Sequence, residues 1–175
     1  MGMITKPPQA KLFLAILYNE SAPVEEVLET CRQKFGREDY SLGPIPFDYS
    51  QYYVPEMGSP LQKQYMTFER PVDRDQLPSI KITTNELEQI YAISGKRIVN
   101  LDPGYITTDK LVLATTKDFY HRIYLGEGIY GEVTLHFRRG RFRHFSWTYP
   151  DYRDEKLLAL LTRGRAQIAG ESREE

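Results

Sequence analysis

The segment KLFLAILY, residues Lys11–Tyr18, decides the fold that this sequence predicts. It is apolar at odd and even positions alike, so a strand made of it has no face suited to water. Such a run predicts an interior strand that is covered on both faces. Apolar residues then recur at helical spacing from Val24 to Cys31, and Gly36 ends the pattern, which predicts a helix directly after the strand.

Further strand and helix patterns follow along the chain. They predict strands at 64–69, 97–101 and 111–115, a helix at 73–93 (or one starting near residue 84), strands at 121–125, 129–138 and 141–148, and a closing helix at 155–169. We therefore expect a single α+β (or α/β) layered domain over residues 10–169, with a mixed β-sheet, a C-terminal β-meander and about three helices. The first three strands are expected to run parallel through right-handed crossovers, and residues 1–9 and 170–175 to be flexible ends.

The segment 37–60 is rich in proline and aromatic residues. Its four prolines lie at positions 44, 46, 55 and 60, among several tyrosines. Proline interrupts helices and strands, so this composition predicts a long loop, and a long aromatic loop is more often functional than disordered. Asp48 and Tyr49 in this segment are therefore candidate lid residues over a binding site.

Composition narrows the classes of function. The 175 residues carry 23 Lys and Arg against 24 Asp and Glu, a net charge of −1, which disfavours a globally basic nucleic-acid-binding protein. Cys31 is the only cysteine, so no intrachain disulfide can form, and we expect a buried, unreactive thiol. The sequence shows neither a signal peptide nor an apolar run long enough to cross a bilayer, so we expect a cytoplasmic protein without membrane association.

Two short motifs resemble nucleotide-binding signatures. GEGIYG, residues 126–131, matches G-x-G-x-x-G, but the alternating segment after it predicts a strand, whereas a dinucleotide site requires a helix there. We interpret these glycines as part of a tight hairpin. Lys117-Asp118 lacks the spacing of a guanine-binding motif, and the sequence contains no P-loop, so an ordinary GTPase is disfavoured.

Polar residues lie just after predicted strands: Asn19 and Glu20 follow the first strand, and two larger clusters follow later ones, NLDPGY at 100–105 and TTKDFYHR at 115–122. Because the carboxyl ends of parallel strands meet at one edge of a sheet, we expect both clusters to form one site. Lys117 would bind an anionic group, Asp102 would orient Lys117 or a bound cation, and His121 would transfer a proton near neutral pH. The candidate catalytic residues are His121 and Asp102, and the candidate ligand-binding residues are Asn100, Tyr105, Lys110, Lys117, Asp118, Asp48 and Tyr49.

Simpler interpretations of the same residues stay open. Asp102-Pro103-Gly104 is a strong turn signal, which would by itself explain the aspartate. His121 would equally suit the ordinary start of a strand. No set of His, Cys or carboxylate residues has the spacing of metal ligands, and the sequence identifies no cofactor.

Two functions follow as hypotheses. The first is a small protein that binds or acts on a phosphate-bearing, nucleotide-like ligand at the two clusters. The alternative is a non-catalytic interaction module that contacts RNA or a protein through the hairpin 136–144, because basic side chains with interleaved aromatic rings can hold single-stranded nucleic acid. Arginines at a hairpin tip also simply protect an edge strand from aggregation. The basic residues of this hairpin are Arg138, Arg139, Arg141 and Arg143.

Several longer motifs together resemble an uncharacterised prokaryotic family. They are VNLDPGY (99–105), KLVLATTKDF (110–119) and HRIYLG (121–126), with PFDY (46–49), EMG (56–58), TNELE (84–88) and WTYPDY (147–152). The family is a domain of unknown function whose members are sometimes labelled "GTP-binding protein". The resemblance extends from about residue 10 to about residue 160. It implies a single-domain cytoplasmic protein and supplies no activity, substrate or catalytic residue.

Overall fold

The predicted interior strand lies in the middle of the sheet. A computed structural model describes residues 2–170. In it, β1 (Ala10–Asn19) pairs antiparallel with β3 (Leu61–Val72) along one edge and with β4 (Val99–Ile106) along the other. Its side chains are buried on both faces from Ala10 to Tyr18, which confirms the expectation drawn from the apolar run.

The remaining elements complete an α+β domain with eight strands and four helices among the described residues. They are α1 (Val24–Phe35), β2 (Glu38–Pro46), α2 (Val54–Met57), α3 (Leu77–Ile90), β5 (Lys110–Thr115), β6 (Arg122–Gly126), β7 (Ile129–Arg138), β8 (Arg141–His144) and α4 (Glu155–Ala169). Three of these helices are the long ones that the sequence predicts.

The sheet has the strand order β2-β3-β1-β4-β5-β7-β6, and β8 pairs with β7 beyond the end of β6. The pairings between adjacent described strands are antiparallel, so the expected parallel arrangement of the first two predicted strands, β1 and β3, was wrong. The second and third predicted strands, β3 and β4, do run parallel to each other, because both pair antiparallel with β1, which lies between them, and α3 connects them. The direction of β3 was mispredicted because the segment 38–46 was taken as loop, whereas it forms the strand β2: α1 connects β1 to the parallel strand β2, and the chain then returns antiparallel as β3. The predicted hairpins β6–β7 and β7–β8 are present, with β7 rather than β6 next to β5.

Helices cover both faces of the sheet. On one face, Leu12, Leu14 and Ile16 of β1 pack against apolar side chains of α1 and α3. On the other face, Phe13 and Ala15 pack against α4. Alternate side chains of β1 therefore pack into two separate cores, one on each face of the sheet, as expected for a strand with no polar face.

Cys31 lies inside the core between α1 and the sheet. The thiol is free and buried, and burial raises its pKa to about 12. A thiol in that state is almost entirely protonated near neutral pH, so it is a poor nucleophile.

The segment predicted as a long loop contains regular structure. Residues 38–46 form β2, the edge strand beside β3, and residues 54–57 form the single turn α2. The loop prediction was wrong here because an edge strand tolerates proline. Its outer side forms no ladder, so the missing N–H of Pro44 or Pro46 leaves no strand partner unsatisfied there.

Asp102-Pro103-Gly104 does not form a turn. These residues lie within β4, which pairs with β1 along its whole length. Gly104 serves close packing instead, because a Cβ atom there would lie 2.4 Å from the Val112 carbonyl oxygen of β5. The local turn signal is overridden by the two neighbouring strands.

The glycine hairpin agrees with its prediction. Gly126 ends β6 and Gly128 lies in the turn before β7, with φ values of 118° and 77°, and a strand follows them. The backbone conformation needed for this turn favours glycine at both positions.

Residues 2–9 contain neither helix nor strand. The predicted flexibility of the chain ends stays a prediction, and its part on residues 1 and 171–175 lies outside the described residues. Within residues 2–170, no helix is both long and apolar enough to cross a membrane.

Candidate ligand-binding cleft

A cleft opens where β4 and β5 separate. The two strands pair only from Gly104–Leu113 to Ile106–Leu111. The next opposed pair would be Pro103 and Ala114, and proline has no N–H to donate to the Ala114 carbonyl. Beyond this point lies a cleft of about 870 Å³, a volume in the range of small-molecule sites.

Two side chains of α3 bond to the exposed edge of β4 in place of the missing strand. Glu88 accepts a hydrogen bond from the Leu101 backbone N–H at 2.7 Å, and the Lys81 ammonium donates to the Leu101 carbonyl at 2.8 Å. Both side chains are buried. They satisfy the backbone groups that β5 would otherwise pair, so the sheet can stay open at low cost.

A polar network extends from this edge across the floor of the cleft. Lys81 contacts Asp102 at 3.3 Å, and the Asn100 amide donates to the same carboxylate at 2.7 Å. The Arg97 guanidinium donates to Glu88 at 3.0 Å and to the Asn100 side-chain oxygen at 2.9 Å. These bonds fix the orientation of Asp102.

The same guanidinium ties α2 to the cleft. Arg97 forms two bonds of 2.8 Å to the carboxylate of Glu56, one from Nε and one from Nη2. This bidentate geometry is the strong form of an arginine–carboxylate pair. The ion pair holds α2 in place, directly after the segment 47–53, which contributes four aromatic side chains to the cleft wall.

The opposite wall holds a second buried ion pair. Lys63 of β3 bonds to Asp151, and Tyr65 donates to the same carboxylate at 3.2 Å. The Lys63 ammonium also lies about 5 Å from the ring centroids of Phe47 and Tyr152. This cation is therefore enclosed by the protein.

Two carboxyl groups of the cleft have pKa values shifted in opposite directions. Burial acts to raise the pKa of Asp102, but the ammonium groups of Lys81 and Lys63 and the amide of Asn100 outweigh it and hold that pKa below its usual value. Burial raises the pKa of Glu88, with a smaller effect of Asp102 in the same direction, although Lys81 opposes it. The lowered pKa favours the ionised form of Asp102, which accepts the hydrogen bonds of Lys81 and Asn100.

Lys117 differs from the other basic residues of the cleft. Lys63, Lys81, Arg97 and Arg122 each lie within ion-pair distance of a carboxylate. Within residues 2–170, Lys117 has no such partner, and its ammonium donates to the Tyr52 hydroxyl at 2.6 Å. This bond lowers the pKa of Tyr52. An exposed ammonium next to the cleft remains available to an anion.

A smaller pocket of about 220 Å³, here called the side pocket, adjoins the cleft. Its lining includes Lys117 and Arg122, which also line the cleft. His121 lies in its wall, where Nε2 is 2.7 Å from the Glu132 carboxylate. Arg122 donates to the same carboxylate at 3.0 Å. The remaining lining residues are Phe119, Trp147 and Tyr149.

The structure brings some of the sequence-predicted residues together. Asn100, Asp102, Lys117 and Tyr49 line the cleft, and His121 lines the side pocket. They meet for a reason different from the one expected, since β4 and β5 are antiparallel and the start of one lies beside the end of the other.

The other predicted site residues lie elsewhere. Tyr105 packs on an apolar cluster with Val112, and burial raises its pKa. Lys110 begins β5 at the far end of the strand and pairs with Asp109 at 3.3 Å. Asp118 and Asp48 are exposed and do not line the cleft.

Sequence reasoning missed the residues of α3. Lys81, Thr84 and Glu88 share a helical face with Leu77 and Leu87, and all five are buried. Ionisable residues on an otherwise apolar helical face are the signal that could have identified them, because such groups are buried only with partners.

The hairpin 136–144 offers less than its sequence suggests. Its exposed arginines are Arg138, Arg139 and Arg141. Phe142 is buried, and Phe137 packs against the α4 core with Arg165 over its ring at 3.9 Å. The two rings are therefore engaged in packing and do not form an exposed surface for stacking bases.

Comparison with known proteins identifies the family. A family model described as a domain of unknown function (DUF4416) matches residues 8–167. The chain belongs to this family, in agreement with the resemblance of its motifs. Comparisons with curated proteins and with solved structures find no match. No group of three or more His, Cys, Asp or Glu residues in the described part of the chain could hold a metal ion.

Proposed function

We propose that this protein binds a phosphate-bearing, nucleotide-like small ligand in the cleft between β4 and β5. The observation that carries the proposal is the environment of Lys117, a cleft-lining ammonium without a carboxylate partner in residues 2–170. The other cations of the cleft are neutralised in place, so an arriving anion gains most at this position.

The walls of the cleft suit the rest of such a ligand. Aromatic side chains provide surfaces for a sugar or a ring, and polar side chains line the floor between them. Asp102 is an ionised and partly exposed carboxylate that can accept hydrogen bonds from ligand hydroxyl groups. The aromatic lining residues are Phe47, Tyr49, Tyr52, Tyr53, Tyr149 and Tyr152.

The proposal assigns different roles to the two residues that the sequence suggested for catalysis. Asp102 orients the ligand from the floor of the cleft. His121 can exchange a proton only with a ligand that reaches the side pocket, because it does not line the cleft itself. A reaction therefore requires a ligand that occupies both cavities.

A thermal-shift screen tests the binding proposal. The panel contains nucleoside mono-, di- and triphosphates, ribose 5-phosphate and inorganic phosphate. A ligand present at about 100 times its Kd should raise the Tm by about 5 °C or more, because it binds only the folded state. Lys117→Ala should weaken the affinity by about tenfold to hundredfold, as expected for a charge-assisted hydrogen bond.

Lys34→Ala is the matched control, since Lys34 is an exposed lysine on α1, remote from the cleft. It should bind as the wild type does, and both variants should keep the unliganded Tm. Equal affinities of all three proteins would contradict the role of Lys117. If no panel member binds, the ligand proposal fails and the arginine hairpin becomes the surface to test.

A further inference from the structure

The side pocket is built largely from rings. His121 stacks on Trp147 with centroids 5.1 Å apart and planes 19° apart, and Phe119 meets its edge at 5.4 Å. A volume of 220 Å³ equals the liquid volume of about seven waters. This space suits one ring system and is too small for a whole nucleotide.

His121, which lines this pocket, has one side-chain nitrogen without a hydrogen-bond partner among residues 2–170. The side chain of His121 is 8% exposed, and its Nδ1 is buried without a hydrogen bond. Its other nitrogen faces the carboxylate of Glu132. An unpaired polar atom in such a place is costly, so it points to a group that is absent from the free protein.

The hydrogen-bond partners of Glu132 indicate which ring nitrogen of His121 carries the hydrogen. Glu132 already accepts bonds from Arg122 and from the Thr134 hydroxyl, so its charge is compensated without a protonated histidine. The carboxylate accepts only, so the imidazole Nε2 carries the hydrogen. In the neutral ring Nδ1 is then an acceptor that lacks a donor.

We infer that the side pocket binds the base of the ligand, a planar ring that carries an N–H donor, while Lys117 binds its phosphate in the adjoining cleft. This inference rests on the proposed function and names the ligand class as a nucleotide. A nucleobase provides both the stacking surface and the N–H that Nδ1 lacks. An ionised phosphate offers acceptors only and leaves Nδ1 unsatisfied.

His121 Nδ1 is covered in the free protein, so a ligand N–H reaches it only after a neighbouring side chain moves. Phe119 and Tyr120, which pack against the imidazole, are 57% and 79% exposed. Trp147 is held in place by the bond from its indole nitrogen to the Val133 carbonyl at 3.0 Å. The pocket thus has a fixed wall and a movable one.

The single tryptophan makes the test specific. Trp147 is the only tryptophan of the chain, and it lines the side pocket but not the cleft. We would titrate the protein at pH 8 with nucleoside monophosphates and with ribose 5-phosphate. Calorimetry measures the heat of binding, and selectively excited fluorescence measures the emission of Trp147. Free tryptophan amide, titrated in parallel, corrects for absorption by the nucleotide. Both ligand types should release heat, and only the nucleotides should change the Trp147 emission.

Two variants separate the base from the phosphate. His121→Phe keeps a stacked ring and removes Nδ1. It should weaken the affinity for a nucleotide by about tenfold and leave the affinity for ribose 5-phosphate unchanged. Phe119→Ala removes one exposed wall of the side pocket, so it gives the same comparison with little risk to folding. Lys117→Ala should weaken the affinity for both ligands.

The outcomes distinguish the two proposals. Nucleotide binding that depends on Lys117, without a Trp147 response and with unchanged affinity in His121→Phe, overturns the side-pocket assignment and leaves the cleft proposal standing. A Trp147 response to ribose 5-phosphate equal to that with nucleotides also overturns it, because the phosphate then occupies the side pocket. Absence of heat with every ligand overturns both.

Discussion

The Glu88 carboxylate of α3 accepts the backbone N–H of Leu101 in β4 at 2.7 Å. A helix side chain here takes the position of a neighbouring strand, at the place where β5 has separated from β4. Lys81 donates a hydrogen bond to the Leu101 carbonyl. Two side chains of α3 therefore satisfy both backbone groups of this one residue of β4. The cleft exists because the open edge of β4 is paired in this way.

Removal of Glu88 should therefore cost stability. Glu88→Ala leaves the buried Leu101 N–H without an acceptor, and it removes one carboxylate partner of Arg97 and Lys81. We expect a loss of about 2–4 kcal/mol in the free energy of unfolding, measured by urea denaturation. The control Glu86→Ala, an exposed glutamate of the same helix, should change it by less than about 0.5 kcal/mol. Similar losses in both variants would contradict the strand-replacing role.

Asp102 should make the stability of the protein depend on acid. Its pKa is lower in the folded than in the unfolded chain, so its ionisation contributes stability above the ordinary aspartate value of about 4. That contribution is lost as the pH falls through the folded pKa. We expect Asp102→Asn to be less stable than the wild type at pH 7, and the difference to shrink below about pH 4. A difference that stays constant from pH 7 to pH 3 would refute this electrostatic role.

Gly104 should tolerate no side chain. A Cβ atom would lie 2.4 Å from the Val112 carbonyl oxygen, which belongs to the backbone of β5 and cannot rotate away. Gly104→Ala should lower the free energy of unfolding by about 2–4 kcal/mol in the same denaturation assay. Gly131→Ala is the matched control, because the Cβ there would meet the movable side chain of Leu125 at 3.0 Å. Equal losses would show that the close approach of β4 and β5 does not matter.

The parts of the fold that a local pattern determines could be predicted from the sequence. The run at Lys11–Tyr18 is apolar on both faces, and this alone requires an interior strand. The glycines at 126 and 128 require a turn with positive φ, and the structure has one. The direction of β3 relative to β1 was mispredicted, because β2, the strand between them in the chain, contains prolines and lacks the apolar pattern of a strand.

The candidate site was predicted in part, again for physical reasons. Lys117 and Asp102 stand out as polar residues next to apolar strands, and both line the cleft. The turn signal at Asp102-Pro103-Gly104 was misleading because proline and glycine also have roles within a strand. Here Pro103 lies where the pairing with β5 ends, and Gly104 allows β5 to approach closely. Glu88 and Lys81 were missed as site residues because their place on the apolar face of α3 was not considered, and their backbone partner Leu101 becomes evident only in the folded chain.

The most direct test of the central claim is the location of the bound ligand by NMR. The protein would be labelled with ¹⁵N and titrated with a nucleoside monophosphate, and the backbone amide shifts would be mapped on the chain. We predict that the largest changes fall in residues 49–53 and 113–118, the two sides of the cleft opening, and that Lys117→Ala abolishes them at the same ligand concentration. Changes confined to residues 138–143 of the arginine hairpin would contradict the account.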